Sequence, residues 1–265
     1  MSELQIRLIS ASILIAASIL GYLYLSEFLF IIILSFVWLL ILHELFRHIS
    51  SLGKTVTGIL WISCFLFFVF SGHMLSTKIP AFLYILYFIG LLYSFLQVFF
   101  FPHSKNLLMI FLLILFYILF GSLNLIFLIG LIGKNQLILA YILFVIAHDM
   151  GGYFFGKKYG KKKLSPIISP GKTLEGLVGS ILFGFLVSII YSVINEIQYI
   201  PVLIFSLAIV LISLLGDLIF SKLKRILNLK DFSKIIPGHG GLLDRLDSWI
   251  VSAPLAAYFF TYVTL

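Results

Sequence analysis

"LLMIFLLILFYILFGSLNLIFLIGLI", residues 107–132, carries no charged side chain from end to end. An α-helix needs about 20 consecutive apolar residues to cross the hydrocarbon core of a bilayer, and this run is longer than that. Gly121, Ser122 and Asn124 interrupt it, so a kink or break at that point is an open expectation. Working outward in both directions, further runs of spanning length occur near 4–25, 28–45, 56–75, 80–101, 136–156, 174–194, 201–221 and 248–265. The chain as a whole is 62% hydrophobic and 11% charged, with 28 phenylalanines, and its mean hydropathy is +1.20. A soluble domain of 265 residues needs far more polar surface than this composition offers. A membrane β-barrel would show short segments of alternating polarity, and none is present in the sequence. The expected fold is therefore an all-α polytopic membrane protein with about nine transmembrane helices.

Arg7 ahead of an apolar run resembles the start of a signal peptide, and Ala16, Ala17 and Ser18 give a weak cleavage-like pattern. An uncleaved first helix is the preferred reading. The lone cysteine, Cys64, falls inside an expected span, so no intramolecular disulfide forms and the redox compartment is not indicated.

Nine spans with a cytoplasmic N-terminus put 16 of the 18 Lys and Arg residues on one face, leaving only Lys78 and Lys134 on the other. That asymmetry is what the positive-inside rule requires, and it places the net charge of +8 on the cytoplasmic side. Nucleic acid is excluded as a partner because no soluble basic domain carries the charge. Anionic membrane lipid headgroups and phosphorylated substrates are the better match. A bacterial-type inner membrane, with the active site facing the cytoplasm, is the expected location.

The two halves differ. Residues 1–133 read as apolar helices and short links, an anchoring region that also offers a surface for a homodimer. In that half His43, Glu44 and His48 read as interfacial residues. Residues 134–265 hold seven of the ten acidic residues, with most lysines in two expected cytoplasmic loops, 157–173 and 222–247. Ionisable groups at helix ends in a membrane usually serve a pathway or a site.

Four segments there can carry chemistry. In "GDLIFSKLKR", 216–225, a continuing helix sets Asp217, Ser221, Lys224 and Arg225 at i, i+4, i+7 and i+8, on one face. The competing reading of the segment taken alone is snorkelling cations with Asp217 as counter-ion. "IIPGHGGLLDRLD", 235–247, brings glycines, a histidine, an arginine and two aspartates together in an otherwise apolar chain. Gly238, Gly240 and Gly241 allow backbone amides to approach a ligand and to form an anion-binding nest. Asp244 and Asp247, three apart, share a helical face; they suit Mg²⁺, which takes one or two carboxylates plus substrate phosphate oxygens, and Asp247 equally suits a helix cap. His239 is either a phosphate donor or an ordinary loop histidine.

"SPGKTLEG", 169–176, contains a GKT, but Pro166 stands where a phosphate-binding P-loop needs its first glycine. What remains is Lys172, Thr173 and Glu175 beside a helix start, where the glutamate also suits the helix dipole. "AHDMGGYFFG", 147–156, sets Asp149 near a helix end, followed by glycines suited to close packing.

Together these segments resemble the phosphatidate cytidylyltransferases, also called CDP-diacylglycerol synthases. The signature runs from Ser221 through Lys224, Arg225, Lys230, Asp231, Ser233, Pro237, His239, Gly240, Gly241, Asp244 and Arg245 to Asp247 without a departure. "DMGGYFFG" resembles the family's Asp-Thr-Gly-Ala-Tyr segment and "SPGKTLEG" its Ser-Pro-x-Lys-Thr-x-Glu-Gly segment. Met150, Gly152 and Gly171 depart from the usual Thr, Ala and Lys. The resemblance is concentrated over about 147–250.

It implies CTP and phosphatidate as substrates, CDP-diacylglycerol and pyrophosphate as products, and Mg²⁺ as cofactor, with a second cation left open. The lipid phosphate would attack the α-phosphorus of CTP in line. The catalytic set expected is Asp217, Asp244, Lys224, Arg225 and Asp247, with Asp217 and Asp244 as the metal ligands. Substrate binding is expected from Asp149, Lys172, Thr173, Glu175, Ser221, Lys230, Asp231, His239, Gly240, Gly241 and Arg245. Other CTP-dependent membrane enzymes, a CDP-archaeol synthase or a polyprenol kinase, share parts of the pattern. A CDP-alcohol phosphotransferase is disfavoured by the lack of an Asp-Gly-x-x-Ala-Arg segment. A transporter is disfavoured because the charges sit at helix ends rather than at the bilayer midplane.

Overall fold

The computed structural model describes residues 27–48, 81–130, 135–233, 235 and 240–262. Seven helices are present among them: α1 (Glu27–Arg47), α2 (Ala81–Phe99), α3 (Leu107–Gly130), α4 (Asn135–Tyr159), α5 (Leu174–Asn195), α6 (Tyr199–Ile226) and α7 (Leu243–Tyr262). The expected spans 4–25 and 56–75 lie outside the described residues. Four of the helices, α2, α3, α5 and α6, are long and apolar enough to cross a membrane. The protein is thus an integral, predominantly helical membrane protein.

Three boundaries differ from the expectation. A short antiparallel hairpin, β1 (Lys163–Ser165) with β2 (Ser169–Thr173), stands where a loop was expected, pairing Lys163 with Thr173 and Ser165 with Ser169. α6 runs on to Ile226 and α7 begins at Leu243, so only 227–242 remains as a connection. The reason is that the polar residues at the end of α6 are inside protein: Lys222 is 1% exposed and Lys224 9%. Asn228, at φ 56°, follows the helix in the left-handed conformation that Asn tolerates.

The chain forms two compact units. One comprises 1–78 with 227–246, the other 79–226 with 247–265. In the second unit, α4 and α5 pack at backbone contact. A Cβ added to Gly151 would lie 2.3 Å from the carbonyl oxygen of Gly179, so glycine is required there. The remaining buried face of α5 is also small, with Gly176, Gly184, Ser188 and Ser192, while Val178, Leu182, Leu186 and Ile190 point outward. A core of Leu128, Tyr141, Phe144, Phe205, Ile209, Ala253 and Phe260 joins α3, α4, α6 and α7. Within it Phe205 stacks on Phe259 at 4.1 Å between ring centroids.

α3 is one continuous helix through Gly121, Ser122 and Asn124, not a broken one. Ser122 and Asn124 hydrogen-bond back to the carbonyls of Ile118 and Phe120, and Gly121 serves α7 instead. Pro254 lies inside α7 and lacks the N–H that would bond the carbonyl of Ile250. That carbonyl faces Gly121, where an added Cβ would sit 2.1 Å from it. Tyrosines take the neighbouring carbonyls: Tyr87 donates to Val251 at 2.7 Å and Tyr141 to Trp249 at 2.5 Å.

Candidate active site

In the larger unit, the site is assembled by the hairpin. Thr173, buried at the end of β2, caps α5 by accepting the amide of Gly176 at 3.1 Å. Glu175 accepts the amides of Lys161 at 3.0 Å and Lys162 at 3.2 Å, which ties the hairpin's entry strand to the first turn of α5. At the hairpin tip, Ile168 is buried and its carbonyl accepts from Arg225 Nε at 3.2 Å. These three attachments fix Lys172, which projects from β2 toward α6.

Lys172 Nζ lies 3.0 Å from Asp217 Oδ2. The side chains are 43% and 22% exposed, and an ion pair at that exposure contributes on the order of 0–1 kcal/mol. Stability alone is a weak reason for it. The carboxylate of Asp217 raises the Lys172 pKa above the usual lysine range, against the opposing effect of burial. A raised pKa means that Lys172 stays charged through neutral pH, and that its pairing weakens only as pH rises through that elevated value.

Asp217 is not alone with this lysine. Asp247 on α7 is 5% exposed, and the two carboxyl groups interact directly, each also feeling Lys224. Asp149 on α4 acts on Lys172 as well. Five of the residues expected from sequence, Asp149, Lys172, Asp217, Lys224 and Asp247, therefore form one electrostatic neighbourhood built from α4, β2, α6 and α7. Ser221 is buried one turn after Asp217 on α6. Two adjacent carboxylates repel unless a proton or cation lies between them. Among the described residues no three His, Cys, Asp or Glu side chains converge as a metal cage. The Asp217–Asp247 pair still suits a Mg²⁺ ion that takes its other ligands from substrate and water.

The smaller unit holds the glycine passage. Asp244 accepts the amides of Phe232 at 2.8 Å and Gly241 at 3.0 Å. Gly240 is left-handed at φ 92°, and a Cβ on it would meet Asp244 and Asp231 at 3.3–3.4 Å. Lys230, Asp231 and Arg245 are exposed; His239 lies outside the described residues. Glu44 is the residue that sequence reasoning undervalued. It is 1% exposed and accepts from Ser233 Oγ at 2.6 Å, Leu242 N at 3.0 Å and Leu243 N at 2.9 Å. The sequence did hold a signal, a lone carboxylate within an apolar helix, which is costly unless satisfied. His48 near it donates from Nε2 to the carbonyl of Phe232.

The fold and this cluster define an integral membrane protein with a polyionic centre of carboxylates and ammonium groups. The chain belongs to the cytidylyltransferase family, whose profile matches residues 5–263. It is 40% identical over 133 residues to the phosphatidate cytidylyltransferase of Haemophilus influenzae, a match covering 48% of this chain and 46% of that one. It is 44% identical over 108 residues to the phosphatidate cytidylyltransferase of Bacillus subtilis, covering 40% of each. A third relative is the Escherichia coli protein YnbB, whose name carries no activity, at 38% over 131 residues, 49% of this chain and 44% of that protein. The matched stretch thus spans under half the length of these relatives.

Proposed function

We propose that the protein transfers the cytidylyl group of CTP to phosphatidate, giving CDP-diacylglycerol and pyrophosphate for phospholipid synthesis. The observation that carries this reading is the meeting of Asp149, Lys172, Asp217, Lys224 and Asp247. Two polyanionic substrates can be brought together only where positive charge offsets their repulsion, and that is the chemistry such a cluster supplies. The names of the Haemophilus and Bacillus relatives support the same substrates.

Lys172 and Lys224 bind phosphate oxygens, and Arg225, anchored through Nε to the hairpin tip, presents the rest of its guanidinium to a phosphate. Thr173 and Glu175 hold the strand that carries Lys172. Ser221, Lys230, Asp231, His239, Gly240, Gly241 and Arg245 complete the substrate contacts. A phosphate oxygen of the lipid forms the new bond to the α-phosphorus as the bond to the β-phosphate bridge breaks and pyrophosphate leaves with that electron pair. Positioning does most of the work in such a transfer. Asp217 and Asp247 are supported as Mg²⁺ ligands by their adjacency, and Asp244 enters the same proposal from the sequence alone. Mg²⁺ supplies neutralisation of charge on the phosphate oxygens and the leaving group.

The test is to incubate purified protein with labelled CTP, Mg²⁺ and either phosphatidate or an isoprenoid phosphate or alcohol acceptor. Labelled CDP-diacylglycerol is expected. Product only with the isoprenoid acceptor would move the chain to the alternative CTP-dependent reaction. We also place the site on the cytoplasmic face of the inner membrane, from the 16-to-2 distribution of basic residues. A reporter fused after Leu265 and active only in the cytoplasm would overturn the nine-span topology behind that placement. Homodimerisation through the first half is part of the same proposal, resting on its apolar character.

A further inference from the structure

Glu44 sits in the last turn of α1, in the half of the chain that the chemistry does not otherwise use, yet its carboxylate serves the glycine passage. The first amides of a helix have no partner within the helix, and its N-terminal end carries partial positive charge. α7 meets this need from outside its own sequence: Leu242 N donates to Glu44 Oε1 and Leu243 N to Oε2, while Ser233 Oγ closes on Oε1 from the preceding connection. The fit is tight. A Cβ placed on Gly241 would come within 2.6 Å of Glu44 Oε2 and 3.0 Å of Ser233 Oγ. Asp244 meanwhile binds the amides of Phe232 and Gly241. The two carboxylates thus divide the donors of the passage. Glu44 takes the helix start and the serine, and Asp244 takes the turn.

We propose that Glu44 is a positioning residue for the reaction, holding the segment that bears Asp231, Gly240, Gly241 and Asp244 in its working conformation by capping α7 from α1. The inference rests on the cytidylyltransferase reading for its link to turnover, but the capping itself does not. Glu44→Gln preserves size while replacing one acceptor oxygen with an NH₂ group that has to face an amide. Glu44→Asp keeps the charge but withdraws it by one methylene.

Hydrogen exchange and kinetics are measured on the full-length protein and both variants. For Glu44→Gln, exchange at the amides of 241–243 should rise at least tenfold while that of α4 and α5 stays the same. The apparent KM for CTP, or the Mg²⁺ concentration at half-maximal rate, should rise severalfold at an unchanged melting temperature. Glu44→Asp should recover part of both effects, and Ser233→Ala should add little on top of Glu44→Gln. Unchanged exchange at 241–243 would overturn the capping role. Loss of activity that follows a lowered melting temperature, with KM and the Mg²⁺ curve unchanged, would overturn the positioning role and leave Glu44 a stability residue. If the wild-type protein makes no CDP-lipid, the reaction assignment fails on its own, and the exchange data still decide whether Glu44 holds the passage.

Discussion

Lys222 and Lys224 stand two residues apart on α6, both buried, and are put to opposite uses. Lys222 Nζ donates to the carbonyl of Gln97 at 2.7 Å, to Gln97 Oε1 at 2.8 Å and to the carbonyl of Phe101 at 2.6 Å. These are acceptors at the end of α2, where a helix leaves carbonyls unpaired and favours a cation. Lys224 instead acts on Asp217 and Asp247. A second contrast lies in the hairpin region, where Lys161, Lys162 and Lys163 are exposed and Lys172 is paired with Asp217. Identical side chains on a basic face thus divide by what oxygen they meet: backbone carbonyl, carboxylate, or the surroundings. The second kind is the one that the proposed reaction requires to exchange its partner for a phosphate.

The largest effect should come from the carboxylate that organises the second kind. Asp217→Asn is expected to cut kcat by about 100-fold or more, the scale on which removal of a charge-stabilising group at a reacting centre is felt. Its Mg²⁺ requirement should rise in whatever activity survives. A wild-type Mg²⁺ curve would assign Asp217 to a structural pair with Lys172.

Next come the lysines themselves. Lys172→Ala should lower kcat/KM for CTP by roughly 10- to 100-fold, since a charged hydrogen bond is worth about 1.5–3 kcal/mol. Single replacement of Lys161, Lys162 or Lys163 should change it by less than about twofold, as expected of an interfacial basic patch. Equal losses in both groups would erase the contrast and make the summed field of the loop the operative quantity. The smallest catalytic effect should be that of Lys222→Met. It should lower unfolding stability by about 1–3 kcal/mol, because the carbonyls of Gln97 and Phe101 lose this donor while Gln97 Oε1 keeps only Ser104 Oγ, and leave the KM for CTP as it was. A raised KM would bring Lys222 into the site.

Much of this was legible in advance. Apolar run lengths located the seven described helices, with the end of α6 and the start of α7 off by five residues, because spanning a bilayer constrains length tightly. The i, i+4, i+7, i+8 series from Asp217 was a sound guide, since α6 does continue through Arg225. The hairpin was missed. Its strands are three and five residues long with only Ser165 and Thr173 buried, held by Glu175 and Arg225 rather than by an alternating apolar pattern. The open expectation of a kink or break at Gly121 was not met for a different reason. By itself this glycine looks like a helix breaker, and only its meeting with the Ile250 carbonyl left free by Pro254, across α3 and α7, gives it a use. Glu44 was underrated because its partners are about 190 residues away in sequence, with separations of 189, 198 and 199, a distance that no local pattern spans.

The tyrosine bonds to α7 bear on how the protein meets a bilayer of changing thickness. Hydroxyls from α2 and α4 hold the carbonyls of Val251 and Trp249, and Ser252 Oγ lies 2.7 Å from the same Tyr141 hydroxyl. A helix advances about 1.5 Å per residue, so a slide of α7 by one residue would break both grips. Lipid mismatch is ordinarily absorbed by tilt, kinking or a local change in bilayer thickness. Here axial shift is closed to the helix that carries Asp247, and a thinner or thicker membrane has to be accommodated by the lipids or by tilting the bundle as a body. The depth of that carboxylate relative to Tyr87 and Tyr141 is set by protein, and stays the same whichever membrane surrounds it.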